Sequence, residues 1–129
     1  MEVVIATVIA VIAVVALAYS FGTGRGLVNQ YEVARIALAA SQSRMETLSA
    51  LPATAAELQA GSHPPGGTNP VQVDGRTVAF ESWLVEAVDD PADGTHAGDI
   101  DLKKVRVTVS WGRRGPSETV TLTRLFPTH

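Results

Sequence analysis

The chain has 129 residues, with ten Lys plus Arg against thirteen Asp plus Glu, a net charge of −3 and no cysteine. That length suits one modest domain, and the even, dispersed charge carries no electrostatic footprint for a nucleic-acid backbone. Without cysteine there are no disulfides, thiolate metal sites or cysteine nucleophiles, so an exported domain must hold by packing alone.

Residues 3–24 contain no charged side chain, and up to Tyr19 only Thr7 interrupts the apolar run. Some 20 such residues span a bilayer core. A cleaved secretory signal has a basic start and an apolar region of about 7 to 15 residues, whereas the first charge here is Glu2. A retained membrane span over residues 1–21 is therefore expected.

Gly22, Gly24 and Gly26 follow within five positions, each costing a helix about 1 kcal/mol relative to alanine, so residues 22–26 are a predicted weak point. Beyond them, residues 27–51 lack Gly and Pro. Tyr31, Ala34, Leu38, Ser41, Met45 and Leu48 recur at alternating spacings of three and four, which predicts one helical face packed on a sheet. Pro52 closes the helix, because the residue before a proline disfavours the helical region.

Residues 53–60 are compatible with one further short helix, and residues 61–70, rich in Gly and Pro, read as a loop. Val71 and Val73 precede Asp74-Gly75, a pair suited to a type I′ turn, and residues 76–88 then carry Val78, Phe80, Trp83, Leu84 and Val85. Residues 89–99 form a second polar loop. Val105, Val107, Val109 and Trp111 alternate with Arg106, Thr108 and Ser110, as in a strand with one buried face. A turn at residues 112–116 leads to a Thr-rich strand over residues 117–125. The expected fold class is α+β: a long N-terminal helix, membrane-spanning in its first half and amphipathic in its second, packed on a small antiparallel sheet at about residues 71–125. The expected globular head is residues 27–129, with Phe80, Trp83, Val107, Val109, Trp111 and Leu122 in its core.

Few residues invite chemistry. Asp89, Asp90, Asp93, Asp99 and Asp101 are the sole acidic cluster, but no glutamate closes a twelve-residue calcium loop and Pro91 interrupts the run, so they read as solvated loop acids. His63, His96 and His129 lack the spacing of a zinc site and read as surface residues. There is no Gly-x-Ser-x-Gly elbow, and the glycines at 22, 24 and 26 do not join a strand to a helix as a phosphate loop does. The sequence points to no enzyme, no cofactor and no metal.

Glu2 stands out, because a carboxylate at the edge of an apolar span is expensive unless it reaches headgroups or a partner. Met1-Glu2-Val3-Val4-Ile5-Ala6 resembles the tail of the signature that opens mature type IV pilins and type II secretion pseudopilins: Phe-Thr-Leu, an apolar residue, a glutamate and a continuous apolar stretch. Residues 40–48 resemble the helix end of minor pilins and minor pseudopilins, and residues 105–115 with the Thr-rich strand resemble their closing hairpin.

The resemblance implies a minor structural subunit of a pilus or pseudopilus. Its implied partners are other pilin or pseudopilin subunits, an inner-membrane assembly platform and membrane lipid. It further implies a prepilin peptidase that acts on a leader ahead of Met1 and an N-terminal methylation. In that setting Glu2 offsets the amino terminus of a neighbouring subunit in the filament core. The expected location is the bacterial inner membrane, single-pass, with the head in the periplasm, or outside the membrane once assembled. The three residues Phe-Thr-Leu and the leader are absent from the sequence, as with an internal methionine taken for the start or a trimmed chain. Arg25, the nearest basic residue, follows the span and by itself favours the opposite orientation, so the leader is expected to carry the deciding basic residues. A reading from another class is a single-span anchor carrying a small periplasmic or extracellular binding domain, in which Glu2 has no special role.

Overall fold

In the computed structural model, residues 2–90, 100–112 and 117–128 are described. Helix α1 (Glu2–Ser49) is followed by a short 3-10 turn (Ala56–Leu58) and five strands: β1 (Gly61–His63), β2 (Asn69–Val73), β3 (Arg76–Val88), β4 (Leu102–Trp111) and β5 (Glu118–Pro127). The class is α+β, with α1 packed on an antiparallel sheet. The chain divides into two compact units, Met1–Glu32 and Val33–His129.

Within the second unit, β3 is the organising strand. One edge pairs with β4 from Phe80 to Val88, and β4 pairs in turn with β5. The other edge is shared: β2 takes the stretch from Arg76 to Glu81, and β1 takes Trp83 to Val85. Asp74 and Gly75 make the β2–β3 turn with φ of 49° and 74°. Both angles are positive, as a type I′ turn requires and as an Asp-Gly pair tolerates.

β1 corrects the expectation of a loop throughout residues 61–70. A thirteen-residue β3 leaves backbone groups beyond β2 in need of partners, and Gly61–His63 supplies them. Trp83 draws the connector in: its indole Nε1 donates to the Glu57 carbonyl at 2.9 Å, and its ring stacks on His63 at 5.6 Å between centroids. Lys103 Nζ donates to the Ala53 carbonyl at 2.6 Å. Leu58, buried, closes the connector on the core, so the short helix expected over residues 53–60 contracts to a single 3-10 turn.

The core lies between α1 and one face of the sheet. Met45 and Leu48 pack with Leu58, Trp83, Val85, Val105 and Val107, while Ala37 packs with Ala79 and Val109. Over this contact α1 and β3 therefore run in the same direction. The period-two burial of β4 puts Val105, Val107 and Val109 inside. In β3 the inward phase is Ala79, Glu81, Trp83 and Val85, so Phe80, expected in the core, faces outward and is 48% exposed. Trp111 and Leu122 pack at the core's margin, partly buried.

The helical face is rotated from the expected stripe in its upper turns. Ser41, Met45 and Leu48 are buried as expected, but Ala37 meets the sheet while Leu38 and Tyr31 are 41% and 71% exposed. Ala37 lies opposite Ala79, and two methyl groups there permit a backbone approach that Leu38 would block. Residues 27–129, which contain this entire core, are expected to be soluble and to fold without the span. Circular dichroism with mixed helix and strand signals and a cooperative melt would be the supporting result. A disordered spectrum would show that residues 27–129 do not fold by themselves.

Candidate functional site: the exposed apolar helix

Helical hydrogen bonding in α1 runs unbroken from Glu2 to Ser49. Its length follows from a sequence free of proline up to Pro52, in which alanine and long apolar residues offset the three glycines. In the first unit, every large apolar side chain from Val3 to Phe21 is at least half exposed. A water-exposed helix carries such residues on one stripe only, whereas these occupy all sides, which is the pattern of a helix surrounded by lipid or by other helices. Among the described residues α1 is the one helix long and apolar enough to cross a membrane, and it lies near the N-terminus.

Two hydroxyls of this segment are compatible with an apolar surrounding. Thr7 Oγ1 donates to the Val3 carbonyl at 2.7 Å, and Thr23 Oγ1 donates to the Tyr19 carbonyl at 3.0 Å, so both hydroxyls are satisfied within the helix. Glu2 is exposed, at the edge of the uncharged run of residues 3–24. Gly22, Gly24 and Gly26 are helical, and a Cβ at any of them would meet nothing within 4 Å. No close approach within the chain requires these glycines.

Among the described residues, the remaining candidates do not converge on one site. Asp101 Oδ2 accepts from the Asp90 backbone N–H at 3.2 Å. Asp93, Asp99, His96 and His129 lie outside the described residues, among which no three metal-ligating side chains converge. His63, expected at the surface, is instead half-buried against Trp83, with Nε2 2.9 Å from the Gln59 carbonyl.

One constellation had no counterpart in the sequence reading. Arg44 Nε lies 2.6 Å from Glu81 Oε1, and its guanidinium sits 4.9 Å from the centre of the Trp83 ring. Glu81 is buried and faces α1 from the inward phase of β3. The cluster ties helix to sheet by charge as well as by packing. The available signal was its phase: Glu81 is the sole charge among the alternate positions 79, 81, 83 and 85.

Comparison of the chain with known protein families, with curated proteins and with solved structures returns no match in any of the three. The functional reading therefore rests on the helix and its chemistry.

Proposed function

We propose that this chain is a structural, non-enzymatic subunit, of the minor kind, of a type IV pilus or a type II secretion pseudopilus. In this reading α1 holds the chain in the bacterial inner membrane with the head in the periplasm. A prepilin peptidase processes and methylates its N-terminus, and the assembly platform moves it into a filament of other pilin or pseudopilin subunits. The observation that carries the reading is the unbroken α1, whose first half is apolar on all sides and carries Glu2 as its one charge ahead of Arg25. A lipid anchor needs only the apolar length, whereas a filament core makes use of both the length and the carboxylate.

The first test reads the in-frame codons ahead of Met1. A short basic leader ending in glycine, followed by Phe-Thr-Leu, supports the filament reading, and unrelated sequence or a stop codon supports the single-span anchor. The biochemical test follows the full-length protein into sheared filaments or cross-linked subunit complexes.

The glycines give a further expectation. Replacing Gly22, Gly24 and Gly26 together with alanine should stabilise the helix by roughly 3 kcal/mol without a clash. In a filament, where bilayer support ends, the native glycines let residues 22–26 unravel and extend. A filament reconstruction with unbroken helical hydrogen bonds through these residues would count against that role.

A further inference from the structure

Arg25 is the first charge after the 22 uncharged positions 3–24. At 1.5 Å per residue those positions reach about 33 Å, close to the ~30 Å of a bilayer's hydrocarbon core. If α1 crosses a bilayer, Arg25 stands at one of its two boundaries.

The side chains around Arg25 suit an anion. Together with Ser20, Phe21, Gly24, Val28 and Asn29 it lines an open notch of about 290 Å³ on the surface of α1. Gly24 is part of this lining, and a Cβ there would have no neighbour within 4 Å. Its polar members, Ser20, Arg25 and Asn29, can all donate hydrogen bonds, and none is a carboxylate. The ion pairs of the described residues involve Arg44, Lys104 and Arg106, not Arg25. The nearest acid along the helix, Glu32, is seven residues on, about 10 Å along the axis. A guanidinium fork matches two oxygens of a phosphate, and Asn29, one turn further, adds an amide donor. Phe21 and Val28 make the rest of the notch apolar, as suits the glycerol and upper acyl carbons beneath a headgroup.

We propose that Arg25, assisted by Asn29, binds the phosphodiester of a phospholipid headgroup and so sets the depth of α1 in the bilayer. This rests on the membrane part of the proposed function and does not depend on filament assembly or on which face of the membrane the head occupies.

The test uses the full chain reconstituted in phosphatidylcholine and phosphatidylglycerol vesicles in phosphate-free buffer, with arginine labelled at Cζ with carbon-13. Resistance to alkaline extraction is measured first. Solid-state NMR then reads the dephasing of arginine Cζ by lipid phosphorus, expected for a separation of roughly 4–5 Å. Arg25→Gln should remain in the membrane and lose that dephasing. A parallel sample in a phosphate-free detergent with added inorganic phosphate separates the two sources of the anion. Dephasing seen only there would overturn the lipid assignment. Equal dephasing in Arg25→Gln vesicles, or none in the native chain, would overturn the proposal while leaving the membrane reading in place. Complete extraction at alkaline pH would overturn both.

Discussion

Glu2→Ala and Glu2→Gln, made in correctly processed full-length protein, are expected to leave membrane insertion and the folded head intact while lowering incorporation into filaments about tenfold or more. An apolar or neutral side chain makes the start of α1 easier to keep in lipid. It also removes the negative charge that offsets a neighbour's amino terminus, and one uncompensated charge buried in an apolar bundle costs about 3 to 5 kcal/mol. Insertion and assembly should therefore separate. Membrane fractionation reads the first, and the amount of subunit in sheared filaments or cross-linked complexes reads the second. Glu2→Gln, which keeps nearly the same size, isolates charge from shape. Wild-type assembly by both variants would remove Glu2 from the mechanism and leave the interfacial-anchor reading in its place.

The second large effect is expected at the contact of α1 with β3. Arg44→Met should destabilise the head by about 3 kcal/mol, because it leaves the Glu81 carboxylate buried without its cation. For a unit of this size that corresponds to a fall in Tm of roughly 15 °C. The reverse substitution should cost less. The Glu81 side chain is 6% exposed and that of Arg44 is 31% exposed, so after Glu81→Leu the guanidinium still reaches water and keeps the Trp83 ring. The double variant Arg44→Met/Glu81→Leu should recover most of the loss, since two apolar side chains can fill the site of an ion pair without an orphaned charge. Urea unfolding of the four species closes the double-mutant cycle. Equal losses from the two single substitutions, with no recovery in the double, would mean that packing volume holds this contact and charge does not.

Much of the fold was legible because its signals are local. The uncharged residues 3–24 mark a membrane-length helix by composition alone, and Pro52 marks its end to within a few residues. Asp74-Gly75 specifies its own turn, since its two residues are those that accept positive φ. The alternation of Val105, Val107 and Val109 states both the strand and its buried face, because one clean phase is apolar.

Where two phases compete, the residues alone are silent. β3 carries Val78, Phe80 and Leu84 on one phase and Ala79, Trp83 and Val85 on the other, and hydrophobicity does not rank them. The sheet decides, through the β3–β4 register that sets Trp83 beside Val107 and Val85 beside Val105. Phe80 is thereby turned outward, and Glu81 inward to Arg44, 37 residues earlier in the chain. The same holds for α1, where Leu38 is the more apolar residue and Ala37 the buried one, because contact with Ala79 favours the smaller side chain. β1 has no signal of its own in Gly61-Ser62-His63; it becomes a strand because β3 presents unpaired backbone there and Trp83 anchors the connector. Local signals were enough for the long apolar helix, its end, the Asp74-Gly75 turn and the existence of the main strands, all of which depend on residues within a few positions of each other. The tertiary structure alone decided which faces meet and which charges pair, because those outcomes depend on volumes and distances between segments far apart in the chain.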